Sequence, residues 1–444
     1  MDDWFFLWHA CDKTERSLSL LASLERGPKH VFAGILEMLP EKEQRKIAGM
    51  RPEADDNNQM KRAAYAKQYE YIKANKALLF PKAAQAHNCT RHAGLCTIEW
   101  QCAEDVPPSQ CPLRENFSGP LCKPWTPYGQ RLKDADETIE FFHLWVARMS
   151  ESDYDLVFLE NSELFEWFRF RDAMLPRFEV YYIINGIQDM GFPMGRVRLY
   201  GVAINRATML WAGPSENNAV VDSFNEIFGC KVMLDADVYA GLDSTENIHA
   251  HKVDLAHLRG MYSDIDALPM NAFFSPCAQE TLKTLEAMYR KSIKTGANGA
   301  LVGDLSQSPS RVRAGPWLPA MARSSLLMSF SRQHIFTPNE IDFAMGWPVV
   351  DILAPDGNPS VFPGVLPPQF KQLDRTSRRI FAGNGMCLQQ VMAWYTYCHA
   401  HVIRRSDCYT LYPHVRLPKR RASEHVEQIP AEEADEGGRM SEAA

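Results

Sequence analysis

The 444-residue chain contains no run of 18 uncharged apolar residues, so no membrane-spanning helix is expected. Its first residues, MDDWFFLWHACDK, put acids where a secretory leader carries basic residues, and their apolar run is short. A signal peptide is therefore not expected, and the N-x-S/T sequons at Asn88 and Asn116 are not expected to carry sugar. No segment repeats another. Nor is there an excess of positive charge: the formal net charge is −7, of which residues 424–444 carry −6 through seven acids against Arg439. The remaining body, near neutral, neither calls for nor excludes a nucleic-acid partner.

What is present fits an ordinary globular protein, with 45% apolar and 11% aromatic residues. The length suits two or three domains. The eleven cysteines are expected as free thiols, metal ligands or a nucleophile rather than as disulfides.

The pattern of elements is that of an α/β protein. WFFLW followed by ACDKTERSLSLLASL reads as a buried strand and a helix, with Asp12 at the strand's carboxyl end. HVFAGILEML repeats that turn from strand to helix. Residues 41–80 are charged, alanine-rich and helical by propensity. Ile139, Phe142, Trp145, Val146 and Met149 fall at helical spacing behind Asp136 as a cap. YDLVFLENS is a buried strand ending on Glu160 and Asn161, and further strands are expected at 179–185 and 197–205. The alternation predicts a mostly parallel sheet with reactive residues at the carboxyl ends of its strands. Residues 206–330 lose this rhythm and read as an inserted domain.

The stretch SGPLCKPWTPYG, 118–129, frames Cys122 between two prolines. Taken singly, such a cysteine reads as a packed core thiol, a glutamate at a strand end as a cap or ion-pair partner, and Arg196 and Arg198 as a solvated face. Their order along one chain changes the weighting. GPLCKPWTPYG, DLVFLENSELF, GFPMGRVRLYGVAI, FTPNEIDFAMGWP and FAGNGMCLQQV together resemble the cytosine-C5 DNA methyltransferases over roughly residues 5–400. The wording is most similar to the divergent methyltransferase-like proteins of dinoflagellate algae.

The resemblance implies a Rossmann-like S-adenosylmethionine-dependent fold with an inserted target-recognition domain. Its divisions would be a catalytic domain at 1–205, truncated at its amino end, a target-recognition-like domain at 206–330, a return to the catalytic domain at 331–416, and a disordered acidic tail at 417–444. It implies Cys122 as the nucleophile at C6 of cytosine, Glu160 as the acid at N3, Arg196 at O2, and Asn161 and Arg198 completing the catalytic set. Asp12, Pro120 and Asn384 would hold S-adenosylmethionine. Thr126, Arg311 and Arg313 would contact DNA, or RNA in a variant of the same architecture, with the base flipped out of the helix. PKRRAS, with Ser423, is consistent with a nuclear address.

Several positions depart from the family's pattern. Leu121 and Lys123 flank the nucleophile where proline and glutamine are usual; the lysine is expected to favour the thiolate. Met194 replaces a glutamine, and Gly34 stands where an acid would meet the adenine. No glycine-rich turn precedes Asp12, and the literal F-x-G-x-G at 381–385 fits the closing motif by its place. The absence is expected to split the sheet and implies either a truncated gene or a copy whose cofactor site has decayed. A non-catalytic nucleic-acid-binding protein is thus the rival reading, and an unrelated α/β protein the third. Finally, His87, Cys89, His92, Cys96 and Cys102 have loosely zinc-like spacing but lack a clean pair of C-x2-C knuckles, and no metal is assigned to them.

Overall fold

The computed structural model describes residues 9–11, 15–23, 28–81, 86–97, 111–126, 131–231, 234–262, 264–295, 300–310, 312–321, 325–347, 373, 377–378 and 385–407. In chain order the elements are β1 (His9–Cys11), α1 (Glu15–Ser23), β2 (His30–Phe32), α2 (Glu41–Ala48), α3 (Asn58–Ala74), α4 (Lys76–Leu79), β3 (Ala86–Cys89), β4 (Gly94–Thr97) and β5 (Glu115–Ser118). Then follow α5 (Ile139–Glu151), β6 (Leu156–Ser162), α6 (Trp167–Met174), β7 (Phe178–Gly186), β8 (Met194–Gly195), β9 (Val197–Asn205), β10 (Met209–Trp211), α7 (Asn217–Phe228), α8 (Thr245–His257) and α9 (Pro276–Lys294). The chain continues through β11 (Val302–Asp304), β12 (Ala314–Gly315), β13 (Leu318–Pro319), β14 (Leu327–Ser329), β15 (His334–Ile335), α10 (Pro338–Ala344), α11 (Leu388–His401) and β16 (Val402–Arg404).

The central sheet runs β5-β6-β9-β7. β5 and β6 are parallel, with α5 as the crossover between them, whereas β9 lies antiparallel to both β6 and β7. The expectation of a mostly parallel sheet is corrected here: β9 inserts between β6 and β7 in the opposite sense. Residue alternation in a single strand is the same for either sense, so the pattern of β9 could not reveal it. The carboxyl ends of β5, β6 and β7 and the amino end of β9 consequently share one edge of the sheet.

Burial on both faces explains the apolar runs. Along β6, Leu156 and Phe158 enter one core with Tyr200, Val202, Ile204, Val220, Phe224 and Trp394, while Val157 and Leu159 enter the other with Phe142, Trp145, Phe170 and Leu199. The helical spacing read at Ile139 to Met149 is that of α5, whose inward face carries those side chains. Asp136 does not cap α5 directly. Its Oδ1 accepts from the Thr138 amide and hydroxyl one turn earlier, at 2.9 and 2.6 Å. Gly201 makes room for Trp167: a Cβ there would sit 2.5 Å from the indole.

β1 and β2 are parallel strands joined through α1, and β2 pairs antiparallel with β3 of the β3–β4 hairpin. Among the described residues no ladder joins this sheet to β5-β6-β9-β7. Farther along the chain, β10 pairs with β16, and α7 packs its Val220 and Phe224 into the core of the central sheet. Residues 236–345 fill two further cores around the sheet β12-β11-β14-β15. The FTPNE segment opens α10 with a capping box between Thr337 and Glu340. Thr337 Oγ1 also donates to Asp243, and Glu340 accepts from the Gly241 amide and contacts His334 Nε2. That motif therefore ties 241–243 to 334–340, a structural task.

No helix among the described residues is long and apolar enough to cross a membrane. Among the described residues seven cysteines are free, but Cys111 is disulfide-bonded, which corrects at that position the expectation of thiols, metal ligands or a nucleophile rather than disulfides.

Candidate active site

The loop after β5, the end of β6 and the start of β9 meet at the shared sheet edge. Cys122 sits in the first. Its carbonyl accepts from the Trp125 amide at 3.0 Å to open a short 3-10 turn at Lys123–Trp125. Trp125 is buried, edge-on to Phe142 and Phe165 with ring centroids 5.5 and 4.7 Å away. The tryptophan thus anchors the turn in the core and leaves Cys122 at the surface. A rigid frame of this kind holds a thiol at a fixed angle.

The second anchor comes from β6. Asn161 Nδ2 donates to the Pro120 carbonyl at 2.9 Å, binding the cysteine loop to the strand end two residues before the thiol. Gly119 completes the approach: a Cβ there would lie 2.7 Å from Met386 Cε and 3.4 Å from Glu160 Oε2. A side chain at this glycine of GPLC would have to displace the Met386 methyl.

Glu160 pairs across the ladder with Tyr200, and Ser162 with Arg198, so the carboxylate and Arg198 share one face. Glu160 is buried, and its Oε1 lies 3.2 Å from Arg198 Nε. The contact is an ion pair without hydrogen-bond alignment, since Oε1 has no hydrogen-bond partner. Burial pushes the Glu160 carboxyl up from its ordinary value, opposed by Arg196 and then Arg198. Burial likewise pushes the Cys122 thiol up, with Arg198 drawing it down, Glu160 raising it and Arg196 lowering it. Cys122 is nonetheless exposed to solvent.

Arg196 and Arg198 play different parts. Arg196 is 2% exposed and donates through Nη2 to the Gly385 carbonyl, with its Nε and Nη1 left without partners. Arg198 is the more accessible, its side chain 17% exposed. Gln390, from α11, donates to the Asn185 carbonyl at 2.9 Å and accepts from Tyr200 at 3.2 Å. The closing segment therefore braces the arginine strand from behind. Tyr200, Gly385, Met386 and Gln390 were not singled out from the sequence. For the last three the quoted FAGNGMCLQQV was the available signal; for Tyr200 only its place two residues after Arg198 was.

Lys123 does not activate the thiol. Its Nζ lies 3.2 Å from Glu137 and 3.6 Å from Asp136, so its charge is spent there, and the expectation of lysine assistance is corrected in favour of Arg198. Thr126 closes the 3-10 turn, half-buried. Arg313 is exposed just before β12 and makes no ion pair among the described residues. Asp12, Asn384, Arg311 and the tail from 417 lie outside the described residues.

At these positions Cys122, Glu160, Asn161, Arg196 and Arg198 form one constellation: a thiol, a carboxyl biased toward its protonated form, an accessible guanidinium and a buried one, and an amide that fixes the loop. The set can add a sulfur nucleophile to an electron-poor ring, donate a proton and stabilise negative charge.

No protein-family model matches the chain, and no curated protein does. Among solved structures it is similar to the methyltransferase EhMeth of Entamoeba histolytica, with 13% identity over 65% of this chain and 77% of that one, at a TM-score of 0.35. It is similar to the S. pombe Dnmt2 methyltransferase at 11% identity, over 65% and 77%, with a TM-score of 0.32. It is also similar to a putative DNA modification methyltransferase encoded within an E. coli prophage, at 12% identity, over 88% and 91%, with a TM-score of 0.34. At this distance the likenesses carry no weight on chemistry, which rests on the side chains.

Proposed function

We propose that this chain is a cytosine-C5 methyltransferase of Rossmann-like fold that acts on nucleic acid, with DNA as the first substrate to test and RNA as the second. The observation that carries the reading is the convergence of Cys122, Glu160 and Arg198 at one sheet edge, with Asn161 fixing the loop that bears the thiol.

The Cys122 thiolate would add to C6, and the displaced electron pair would move through the ring toward N3 and O2. Glu160, held toward its acid form by burial, would donate its proton to N3. Arg198 is the better placed guanidinium for O2, because Arg196 is nearly inaccessible and already holds Gly385. C5, now nucleophilic, would take the methyl group. Loss of the C5 proton to solvent, return of the N3 proton to Glu160 and departure of the thiolate would regenerate the site.

S-adenosylmethionine would supply the electrophilic methyl group when bound. The residues that would hold it are those the motifs name, and the described ones lie at Gly119–Pro120, where the backbone runs close to Met386 and Glu160. Pro120 would contact the cofactor, and Asp12, directly after the last residue of β1, would accept from ribose hydroxyls.

The test is methyl transfer from labelled S-adenosylmethionine to cytosine in duplex DNA and in RNA, with Cys122→Ser as control and 5-fluorocytosine DNA as a covalent trap. Calorimetric binding of S-adenosylmethionine, repeated with Asp12→Ala, reports the cofactor site separately. 5-Methylcytosine formed by the native chain and lost in Cys122→Ser supports the proposal. Transfer that survives the serine would sink the nucleophile. Nucleic-acid binding without cofactor binding would favour the second reading, a non-catalytic binder, which the lack of a ladder, among the described residues, between β1-β2-β3-β4 and the central sheet supports.

A further inference from the structure

The amino-terminal sheet has a weak joint. β1 and β2 pair at three positions and β3 and β4 at four, but β2 and β3 share the single register pair Phe32–Cys89. At that joint four side chains converge: His30 from β2, Cys89 at the end of β3, His92 in the hairpin turn and Cys96 on β4. Each offers one ligand atom, and all four atoms lie within 4.8 Å of one another. His92 Nδ1 is 3.6 Å from Cys89 Sγ and 3.2 Å from Cys96 Sγ. A tetrahedral zinc with ordinary Zn–S and Zn–N bonds sets such S···N edges at about 3.5 Å.

We propose that His30, Cys89, His92 and Cys96 bind one zinc ion as a structural Cys2His2 site that pins the β3–β4 hairpin to β2. Two thiolates neutralise the dication, and thiolate with imidazole is the donor set that favours zinc among common divalent ions. The surroundings suit a metal thiolate. Cys89 is 2% exposed, and its sulfur accepts from the Val31 amide at 3.4 Å, the kind of outer hydrogen bond that steadies a ligand. The His30 and His92 rings approach edge to face at 5.0 Å between centroids. Cys89 and Cys96 are free thiols rather than a disulfide. His87, part of the spacing read from the sequence, is outside the group and packs edge-on to Phe32 at 6.5 Å. Cys102 lies outside the described residues. The fourth ligand is His30, 59 positions before Cys89, which no local spacing could disclose.

The experiment uses the full chain purified without chelators. Elemental analysis is expected to find about one zinc per chain, and cobalt added to the metal-stripped protein to give an intense tetrahedral visible band with sulfur-to-metal charge transfer. Cys96→Ser and His30→Ala are expected to weaken binding by more than the 10- to 100-fold typical of losing an outer-shell partner; His87→Ala should leave it unchanged. Zinc removal should speed hydrogen exchange in β3 and β4 while β6 and β9 stay protected, a readout that needs no variant to fold. A chain that takes up neither ion stoichiometrically, an octahedral cobalt spectrum, a Cys89–Cys96 disulfide in the purified protein, or metal retained by a Cys89→Ser/Cys96→Ser double variant would each overturn the site.

Discussion

The two sheets that end near the amino-terminal half of this chain are built on different physics. β6 is buried along its whole length, and β9 from Leu199 onward, between two apolar cores. β3 and β4 are four residues each and largely exposed, with only Cys89 fully buried. A strand with two covered faces is positioned by burial alone. A hairpin with almost no buried side chain must be positioned by something else, and the cluster of His30, Cys89, His92 and Cys96 occupies that place. On the zinc proposal, apolar packing and metal ligation are alternative means of fixing backbone in one chain.

The largest expected effect tests the chemistry that the rigid sheet supports. Cys122→Ser should lower methyl transfer by at least about 10⁴-fold, since loss of a nucleophile removes the covalent route; single-turnover assays measure it, and a modest loss would show that the thiol is a bystander. Next comes the contrast in packing. Leu159→Ala, from a fully buried position, should destabilise by about 2–5 kcal/mol. Leu95→Ala, on β4 at 70% exposure, should stay within about 0.5 kcal/mol. Chemical denaturation compares them, and equal losses would erase the distinction between the sheets.

Acid sensitivity is a third handle. His143, on α5, is buried beside Tyr69 and held down to about 3, chiefly by desolvation. Because its folded value is depressed, the stability it contributes is present above the unfolded value near 6.5 and is lost as pH falls from there toward 3. His143→Phe should flatten that acid limb by on the order of a few kcal/mol. An unchanged slope of stability against pH would exclude His143 as its source. The smallest effect is one of shape. In the proposed mechanism the reactive pair is a thiolate with a carboxylic acid, so activity should rise with deprotonation of Cys122 and fall once Glu160 has also lost its proton. Glu160→Gln should lower the rate and abolish the alkaline fall. A fall that persists would assign it elsewhere.

Much of the site was legible because its parts lie at strand ends that the hydrophobic pattern marks. The run LVFLENS announces both a doubly buried strand and the two polar residues where it emerges, and VRLYGVAIN announces β9 from its first to its last residue. The division of labour between the arginines was not legible. Arg196 and Arg198 are two apart on one strand, and only the neighbours decide that one is clamped to Gly385 and the other faces Glu160. Lys123 was misread for the same reason: adjacent to Cys122 in the chain, it turns to Asp136 and Glu137 in space.

Sequence by itself determined α5, β6, β7 and β9 and the order in which thiol, carboxyl and guanidinium groups arrive, because side-chain periodicity and turn chemistry are local properties of the chain. Only the tertiary structure decided that β9 enters antiparallel between β6 and β7, that Asn161 holds the Pro120 carbonyl, and that His30 joins a cluster 59 residues away. Strand pairing, desolvation and ligand convergence are set by groups distant in sequence and close in space, and nothing in a local pattern encodes which distant group arrives.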